Sequence, residues 1–243
     1  MMQDSKKEDI LGWESFWKEN PTGFNATMAQ STLFFAKTLA DQYPIAPEDH
    51  FLDIGCGPGF LISYLKGKCE VIHGTDISEK YIEIAKEQFK DEQGISFTVS
   101  KAYDFKNYQE LIVSYQINRV IMLSVLQYYK SEAEVKNLVL AMKEIAHLKK
   151  FTCLLADIIP TQHSTIGDIF NIVKHAIMRG YTLKFVKFLC YAVFSDYRKI
   201  KKNGLLQVDE TFFLNLKDEL NLDIEIVKDL TIHTGRYSVL IHF

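Results

Sequence analysis

The sequence lacks the features that mark a membrane-spanning or secreted protein. No run of about 18 consecutive apolar residues occurs, so no transmembrane helix is expected. Residues 1–9 are charged and have no apolar stretch of the signal-peptide kind, which predicts a cytoplasmic protein. Only five prolines occur in 243 residues, and the sequence contains no repeat or low-complexity tract. We therefore expect a single domain spanning residues 1–243.

The cysteines give no sign of a metal site or of disulfide bonds. Cys56, Cys69, Cys153 and Cys190 form no Cys-x-x-Cys pair, and they stand in apolar surroundings. Reduced thiols are expected, and no zinc site. The chain is 47% apolar, and at this length it can bury a full core.

A glycine-rich turn between a predicted strand and a predicted helix is the most informative motif. Apolar residues around Asp53 predict the end of a buried strand, Gly55, Gly57 and Gly59 follow, and an apolar run of helical length begins at Phe60. This order brings backbone N–H groups and a helix N-terminus up to a ligand. A dinucleotide site spaces its glycines as Gly-x-Gly-x-x-Gly. The shorter spacing here, with a carboxylate two residues before the first glycine, favours a ligand with an ammonium group over a pyrophosphate.

A second acidic residue ends the next predicted strand. Asp76 lies 17 residues after Gly59, close to the roughly 20-residue offset at which a carboxylate reaches a ribose hydroxyl pair. Its two oxygens can each accept a hydrogen bond from one hydroxyl. Ser78 then predicts the N-cap of a helix. Alone, Asp76 would be interpreted as a solvated strand end; with Asp53 and three glycines it indicates a nucleoside site.

These residues resemble the first two motifs of the class I S-adenosylmethionine-dependent methyltransferases. An acidic residue followed by x-Gly-x-Gly-x-Gly matches Asp53 to Gly59 without a gap, and Asp76 matches the acidic end of the second strand. The resemblance implies that S-adenosyl-L-methionine is the cofactor. At Lys101 relatives usually have an acidic or polar residue, so backbone contacts there would hold the adenine. The candidate cofactor-binding residues are Asp53, Gly55, Cys56, Gly57, Gly59, Asp76, Ile77, Lys101, Ala102, Leu123 and Gln127.

Strand-like and helical segments alternate along the chain, which predicts an α/β, doubly wound sheet with helices on both faces. A C-terminal hairpin, with no helix between its strands, predicts an antiparallel last strand. The resemblance implies a mainly parallel, seven-stranded, Rossmann-like methyltransferase fold. N-terminal helices are predicted within residues 1–45 and a helix over 132–148. The predicted strands span residues 51–54, 71–75, 95–99, 119–123, 151–156, 222–230 and 237–243.

Residues 163–203 form an insertion after the fifth predicted strand. Phe185, Phe188 and Leu189 belong to one broad apolar face at helical spacing. With eight basic and two acidic residues, the insertion carries a net charge of +6, against −9 for the rest of the chain. Where small-molecule methyltransferases insert a substrate lid, we expect a helical lid over an apolar acceptor. Contact with an anionic membrane surface, or packing as permanent core, are the alternatives.

The segment after the fourth strand bears on the methyl acceptor. It lacks the Asn/Asp-Pro-Pro-aromatic motif that the family uses for amines of DNA bases, and the overall charge is −3, so nucleic acid is not expected as a partner. Asp157 is followed by Ile158 and not by asparagine, so no magnesium site is expected. The first hypothesis is methyl transfer to an oxygen atom of a small, largely apolar metabolite. Nitrogen and carbon are the alternative acceptor atoms. A non-catalytic protein that binds the cofactor is the alternative.

An oxygen acceptor benefits from a general base, and histidine titrates near neutral pH. His163 follows the fifth strand over the expected cleft and is the first candidate. His233, in the final hairpin, is the second. Tyr128 is a tentative catalytic residue because it follows the fourth strand, although its ring could equally pack into the core.

Overall fold

The computed structural model describes residues 15–17, 25–161 and 204–243. The predicted lid, residues 163–203, lies outside the described residues, and so does His163. Within the predicted N-terminal helical region, residues 15–17 are helical and helix α1 spans Asn25–Gln42. No helix in the described ranges is long and apolar enough to cross a membrane.

Strands and helices then alternate much as the sequence predicts. Strands β3 and β4 have the predicted bounds, and the other strands differ from prediction by one or two residues at their ends. The elements after α1 are β1 His50–Ile54, α2 Phe60–Leu65, β2 Val71–Asp76, α3 Glu79–Gln88, β3 Ile95–Val99, α4 Phe105–Ser114, β4 Arg119–Leu123, a 3₁₀ helix Leu126–Tyr128, α5 Glu132–Ile145, β5 Thr152–Ile158, α6 Glu210–Leu220, β6 Asp223–Lys228 and β7 Tyr237–His242.

The seven strands form one sheet in the order β3-β2-β1-β4-β5-β7-β6. Strands β1 to β5 pair in parallel, whereas β7 is antiparallel to both β5 and β6. The predicted doubly wound sheet with an antiparallel last strand is confirmed. The carboxyl ends of β1 to β5 therefore meet at one edge, here named the carboxyl edge. Because Tyr237 pairs with Ile158, the loop 229–236 before β7 lies at the same edge.

Apolar side chains cover both faces of the sheet. Leu52 and Ile54 of β1 join the layer that includes Val139 of α5. Phe51 of the same strand joins the opposite layer, which includes Phe35 of α1. This alternation is typical of strands buried on both faces. The two layers hold the strands rigidly, so the loops at the carboxyl edge are positioned by the core beneath them.

Helix α3 begins as predicted, because the Ser78 hydroxyl accepts a hydrogen bond from the backbone N–H of Tyr81 over 3.4 Å. A buried histidine lies in the strand before it. His73 is fully buried, with Nδ1 at 2.8 Å from the Ser96 hydroxyl and Nε2 at 2.9 Å from the Thr98 hydroxyl. Its burial lowers the pKa of His73 to about 4. The imidazole is therefore neutral in the folded protein at physiological pH.

His73 should make stability depend on pH. In the unfolded chain the imidazole takes up a proton below about pH 6.5, whereas the folded protein resists protonation down to about pH 4. Its contribution to stability is complete above pH 6.5 and is lost as the pH falls, by on the order of 3 kcal/mol. The difference in unfolding free energy between wild type and His73→Gln, measured with urea, should shrink by that amount from neutral pH to about pH 4. An equal shrinkage for His242→Gln, at an exposed position, would contradict the assignment.

Candidate functional site

The glycine turn after β1 is fixed to the end of β2. The backbone N–H groups of Gly55 and Cys56 donate to the carbonyl oxygen of Thr75 over 2.7 and 3.1 Å. Gly55 has φ +79°, and a Cβ at this position would lie 2.4 Å from Cγ2 of Val125. Both the backbone conformation and the close approach of the segment after β4 therefore require glycine here.

Gly57 differs from the other two glycines of the motif. A Cβ on Gly59 would lie 2.7 Å from the Phe89 ring, so packing excludes a side chain there. At Gly57, φ is +54° and the nearest atom to such a Cβ is Cε of Met28 at 3.6 Å. Packing within the described residues leaves room at Gly57. The remaining constraints are its left-handed backbone and any ligand that approaches the turn.

Asp76 connects the end of β2 to this turn. Its Oδ2 accepts from the backbone N–H of Gly57 over 2.8 Å, and its Oδ1 accepts from the N–H of Ser78 over 2.9 Å. Each carboxylate oxygen can accept a second hydrogen bond. The side chain is buried, and this burial raises the pKa of Asp76, against the opposing effect of the backbone N–H donors. Asp76 thus shapes the turn and keeps acceptor capacity for a ligand.

Asp53 is a buried carboxylate without a compensating donor among the described residues. It is 3% exposed, and its Oδ2 has no hydrogen-bond partner in the described part of the chain. Burial, with the neighbouring charge of Asp76, raises the pKa of Asp53 to about 7. A buried polar atom left unpaired indicates a strained or functional position. Two carboxylates in one buried corner are chemically suited to a cationic ligand that carries hydrogen-bond donors.

The other predicted cofactor residues lie along the same edge. Ile77 follows Asp76 directly and is half-buried, whereas Lys101 is exposed and Ala102 is half-buried after β3. The backbone N–H of Ser100 donates to the carbonyl oxygen of Asp76 over 3.0 Å, so the loop after β3 lies beside the end of β2. Leu123 ends β4 and Gln127 lies in the 3₁₀ helix that follows.

Aromatic rings connect the N-terminal residues to both sides of this edge. The Trp17 ring centroid lies 6.3 Å from that of Tyr81 on α3 and 5.9 Å from that of Tyr128 in the 3₁₀ helix. The sequence placed Trp17 only in an N-terminal helix. Its contacts join residues far apart in the chain, which no local pattern reveals.

A buried polar network occupies the ends of β4 and β5, and the sequence analysis missed it. Oδ2 of Asp157 accepts from the Ser124 hydroxyl over 2.6 Å and from Nη1 of Arg236 over 2.8 Å. Its Oδ1 accepts from the Thr231 hydroxyl over 3.1 Å. Arg236 Nη1 also donates to Oε1 of Gln127 over 3.2 Å. A carboxylate at the end of a buried strand needs such partners, and that requirement was the available signal.

The predicted catalytic residues are only partly placed by the described chain. Tyr128 is half-buried beside Trp17, and its carbonyl oxygen accepts from the Tyr103 hydroxyl over 3.3 Å. His233 lies in the loop before β7, where its N–H donates to the Thr231 hydroxyl over 3.3 Å. His233 therefore adjoins the polar network, and His163 lies outside the described residues.

The unpaired carboxylate should reduce the stability of the ligand-free protein. The pKa of Asp53 is raised from an ordinary value near 3.8 to about 7, so the destabilisation is absent below about pH 4, grows between about pH 4 and 7, and is complete above pH 7. Relative to wild type, Asp53→Asn should gain stability by a few kcal/mol between about pH 4 and pH 8. Urea unfolding at both pH values measures this gain. A stability difference that is the same at both pH values would show that Asp53 ionises normally.

Comparison with known proteins agrees with this architecture. Residues 51–149 match a family model described as a methyltransferase domain. Ribosomal RNA small subunit methyltransferase A of Malacoplasma penetrans is 28% identical over 142 residues, which cover 54% of this chain and 51% of that protein. The chain thus spans about half the length of this curated relative.

Solved structures share the fold at low sequence identity. Magnesium protoporphyrin IX methyltransferase from Synechocystis PCC 6803 with bound SAH has a TM-score of 0.53 and 17% identity, covering 95% of this chain and 91% of that one. Phosphoethanolamine N-methyltransferase 1 of Haemonchus contortus, in complex with phosphoethanolamine and S-adenosylhomocysteine, has a TM-score of 0.58 and 13% identity, covering 100% of this chain and 50% of that one. With the glycine turn and its two carboxylates, these findings show that the chain has the fold of these solved methyltransferases and that residues 51–149 resemble a methyltransferase domain.

Proposed function

We propose that this chain transfers a methyl group from S-adenosylmethionine to a small, largely apolar molecule, with oxygen as the first choice of acceptor atom. The observation that carries the cofactor half of the proposal is the pair of buried carboxylates beside the glycine turn. In the described part of the chain no donor reaches Asp53, and Asp76 retains acceptor capacity. A molecule with an ammonium group, a sulfonium and a ribose diol supplies what both side chains lack.

Each residue is given a role that follows from its place at the carboxyl edge. Asp53 faces the cationic amino acid portion, and Asp76 accepts from the ribose hydroxyls while it holds Gly57. Ile77 and Ala102, with the backbone at Lys101, border the adenine. Leu123 and Gln127 stand between the cofactor and the acceptor. These assignments are proposals, supported by the contacts of the turn and by the motifs that the chain shares with its family.

The acceptor half rests on the segment after β4. Ser124 and Val125 stand where an amino methyltransferase for bases would carry Asn-Pro-Pro, which supports a small acceptor. The rival candidate is RNA, because the relative from Malacoplasma penetrans is named for ribosomal RNA. Contact with a membrane surface through the basic insertion, and methylation at nitrogen or carbon, remain further alternatives. The lid role of residues 163–203 also stays a prediction.

Methyl transfer needs positioning above all. The cofactor supplies an activated methyl group when bound. The chain's own residues then have to hold the acceptor oxygen in line at near-attack distance and keep water out, which can account for about 7–11 kcal/mol of the barrier. The polar network around Asp157 supplies fixed groups at the place where such an acceptor would lie. His233 is the described candidate for proton removal, and His163 is the other.

The function is tested by release of labelled methyl from S-adenosylmethionine to two sets of acceptors. One set contains small apolar alcohols, phenols, carboxylic acids and amines; the other contains small-subunit ribosomal RNA. Transfer to the first set and none to RNA is the expected result. Faster transfer to RNA would replace the small-molecule proposal, and cofactor binding without any transfer would favour the non-catalytic alternative.

Replacing Asp76 should weaken cofactor binding. Asp76→Asn keeps the shape of the side chain but removes its charge, and hydrogen bonds to a charged group contribute about 1.5–3 kcal/mol each. We expect the Kd for S-adenosylhomocysteine, measured by calorimetry, to rise at least about tenfold. The exposed Asp91→Asn is the matched control and should leave the Kd unchanged. An unchanged Kd in folded Asp76→Asn would disprove the ribose assignment.

Alanine substitutions at two glycines with similar backbone conformations can distinguish the loss of ligand contact from backbone strain. Gly57 and Gly67 both have positive φ, and a Cβ on Gly67 would meet no atom within 4 Å. Replacement by alanine should cost each about 1–2 kcal/mol of stability, since both residues are left-handed. Only Gly57→Ala should also weaken S-adenosylhomocysteine binding, because its Cβ enters the cleft. Equal affinities of the two variants would mean that the turn does not touch the ligand.

A further inference from the structure

Arg236 holds the carboxamide of Gln127 in one orientation. Nη1 of Arg236 donates to Oε1 of Gln127 over 3.2 Å and to Oδ2 of Asp157 over 2.8 Å. A guanidinium only donates hydrogen bonds, so the Gln127 atom that faces it must be the oxygen. The Nε2 group of Gln127 is thereby turned away from Arg236. Among the described residues it has no acceptor, so both of its N–H donors are available.

The position of Gln127 connects this carboxamide to the cofactor turn. Val125, two residues earlier, touches the turn so closely that a Cβ on Gly55 would lie 2.4 Å from its Cγ2. On the other side, Ser124 bonds to Asp157 at the end of β5. The half-buried Gln127 therefore lies between the cofactor turn and the β5 side of the carboxyl edge.

The backbone of the network is left-handed at two residues that are not glycine. Ser124 and Asp157 have φ of +57° and +68°, conformations that favour glycine. Asp157 lies in a β-bulge of β5, where the pairing with β7 shifts between Leu155 and Ile158. Bulges redirect side chains and occur often beside active sites. Side chains kept at left-handed positions indicate a functional constraint, since each costs on the order of 1–3 kcal/mol.

Both carboxylate oxygens of Asp157 accept hydrogen bonds, and one of them is paired with Arg236. Its carboxylate accepts from the hydroxyls of Ser124 and Thr231 as well as from Arg236. The side chains of the ion pair are 5% and 11% exposed, and a buried pair is stable only when further hydrogen bonds complete it. The network therefore fixes the guanidinium, and the guanidinium in turn fixes Gln127.

We propose that Gln127, oriented by Arg236 and Asp157, presents a donor-only surface that selects an acceptor with a carboxylate or carbonyl oxygen beside the methylated position. The inference rests on the proposed function and narrows its substrate class. An ammonium group would meet N–H donors and would be rejected, because neither partner could accept a hydrogen bond. With a carboxylate as the acceptor, a C–O bond forms and the S–C bond breaks. The charges of carboxylate and sulfonium both disappear, and no proton has to be removed.

Binding to protein saturated with S-adenosylhomocysteine tests this selectivity without turnover. Phenylacetate and phenethylamine share an apolar ring and differ in the head group, and NMR titration gives the Kd of each. Wild type should bind phenylacetate more tightly. Gln127→Glu replaces the N–H donors by a charged oxygen. Its Kd for phenylacetate should rise at least about tenfold, and it should bind phenethylamine more tightly than phenylacetate. Gln127→Met should bind phenylacetate more weakly than wild type does, without binding phenethylamine more tightly.

Controls separate this inference from the proposed function. Gln116→Glu makes the same change at an exposed residue before β4, and it should behave as wild type. A cooperative urea-unfolding transition at the wild-type midpoint shows that the Gln127 variants fold. The inference would be overturned if wild type bound phenethylamine as tightly as phenylacetate. It would also be overturned if Gln127→Met lost affinity for S-adenosylhomocysteine while its affinity for phenylacetate was unchanged. Failure of wild type to bind S-adenosylhomocysteine would instead refute the proposed function.

Discussion

The site depends on two carboxyl groups, Asp53 and Asp76, that are buried close together. Both side chains are less than a tenth exposed, and the pKa of each carboxyl is raised by burial. Asp76 offsets part of that cost by accepting from the N–H groups of Gly57 and Ser78, which fixes the glycine turn on the end of β2. Among the described residues Asp53 has no such donor. The ligand-free protein therefore disfavours ionisation of Asp53, and a bound cation would favour it.

Two features of the carboxyl edge destabilise the folded protein, and each serves a separate chemical purpose. At β1 and β2 the cost is an unpaired buried carboxylate. At β4 and β5 it is the left-handed backbone of Ser124 and Asp157. The first prepares the edge for a charged cofactor, and the second fixes the donors of Arg236 and Gln127. The two layers of apolar core make both arrangements tolerable, because they hold the strand ends in place.

The sequence predicted features that depend on local pattern. Buried strands with glycine punctuation gave β1 to β4 within one or two residues, and the Ser78 N-cap followed from its position before a helical segment. The mainly parallel, doubly wound sheet with its antiparallel last strand was expected from the family resemblance and from the alternation of strands and helices. The same local reasoning found Asp53 and Asp76, because both lie directly at strand ends.

Features that depend on distant contacts were not predictable in this way. The bulge at Asp157 arises from pairing with β7, about 80 residues later, and Arg236 reaches Gln127 across 109 residues of chain. Trp17 meets Tyr81 and Tyr128 for the same reason. Packing also distinguishes the three glycines, which the sequence pattern does not: neighbouring side chains exclude a side chain at Gly55 and Gly59, whereas Gly57 has room among the described residues.

A cationic cofactor should favour the ionised form of the buried Asp53, and the protons released on binding test this most directly. Because the pKa of Asp53 is about 7 in the free protein, this carboxyl is mostly protonated near pH 6 and should ionise beside an ammonium or sulfonium. Calorimetric titration of S-adenosylmethionine, repeated in buffers of different ionisation enthalpy, counts these protons. About one proton per cofactor should be released in wild type and almost none in Asp53→Asn. Binding of S-adenosylmethionine without proton release, or with equal release from the variant, would contradict it.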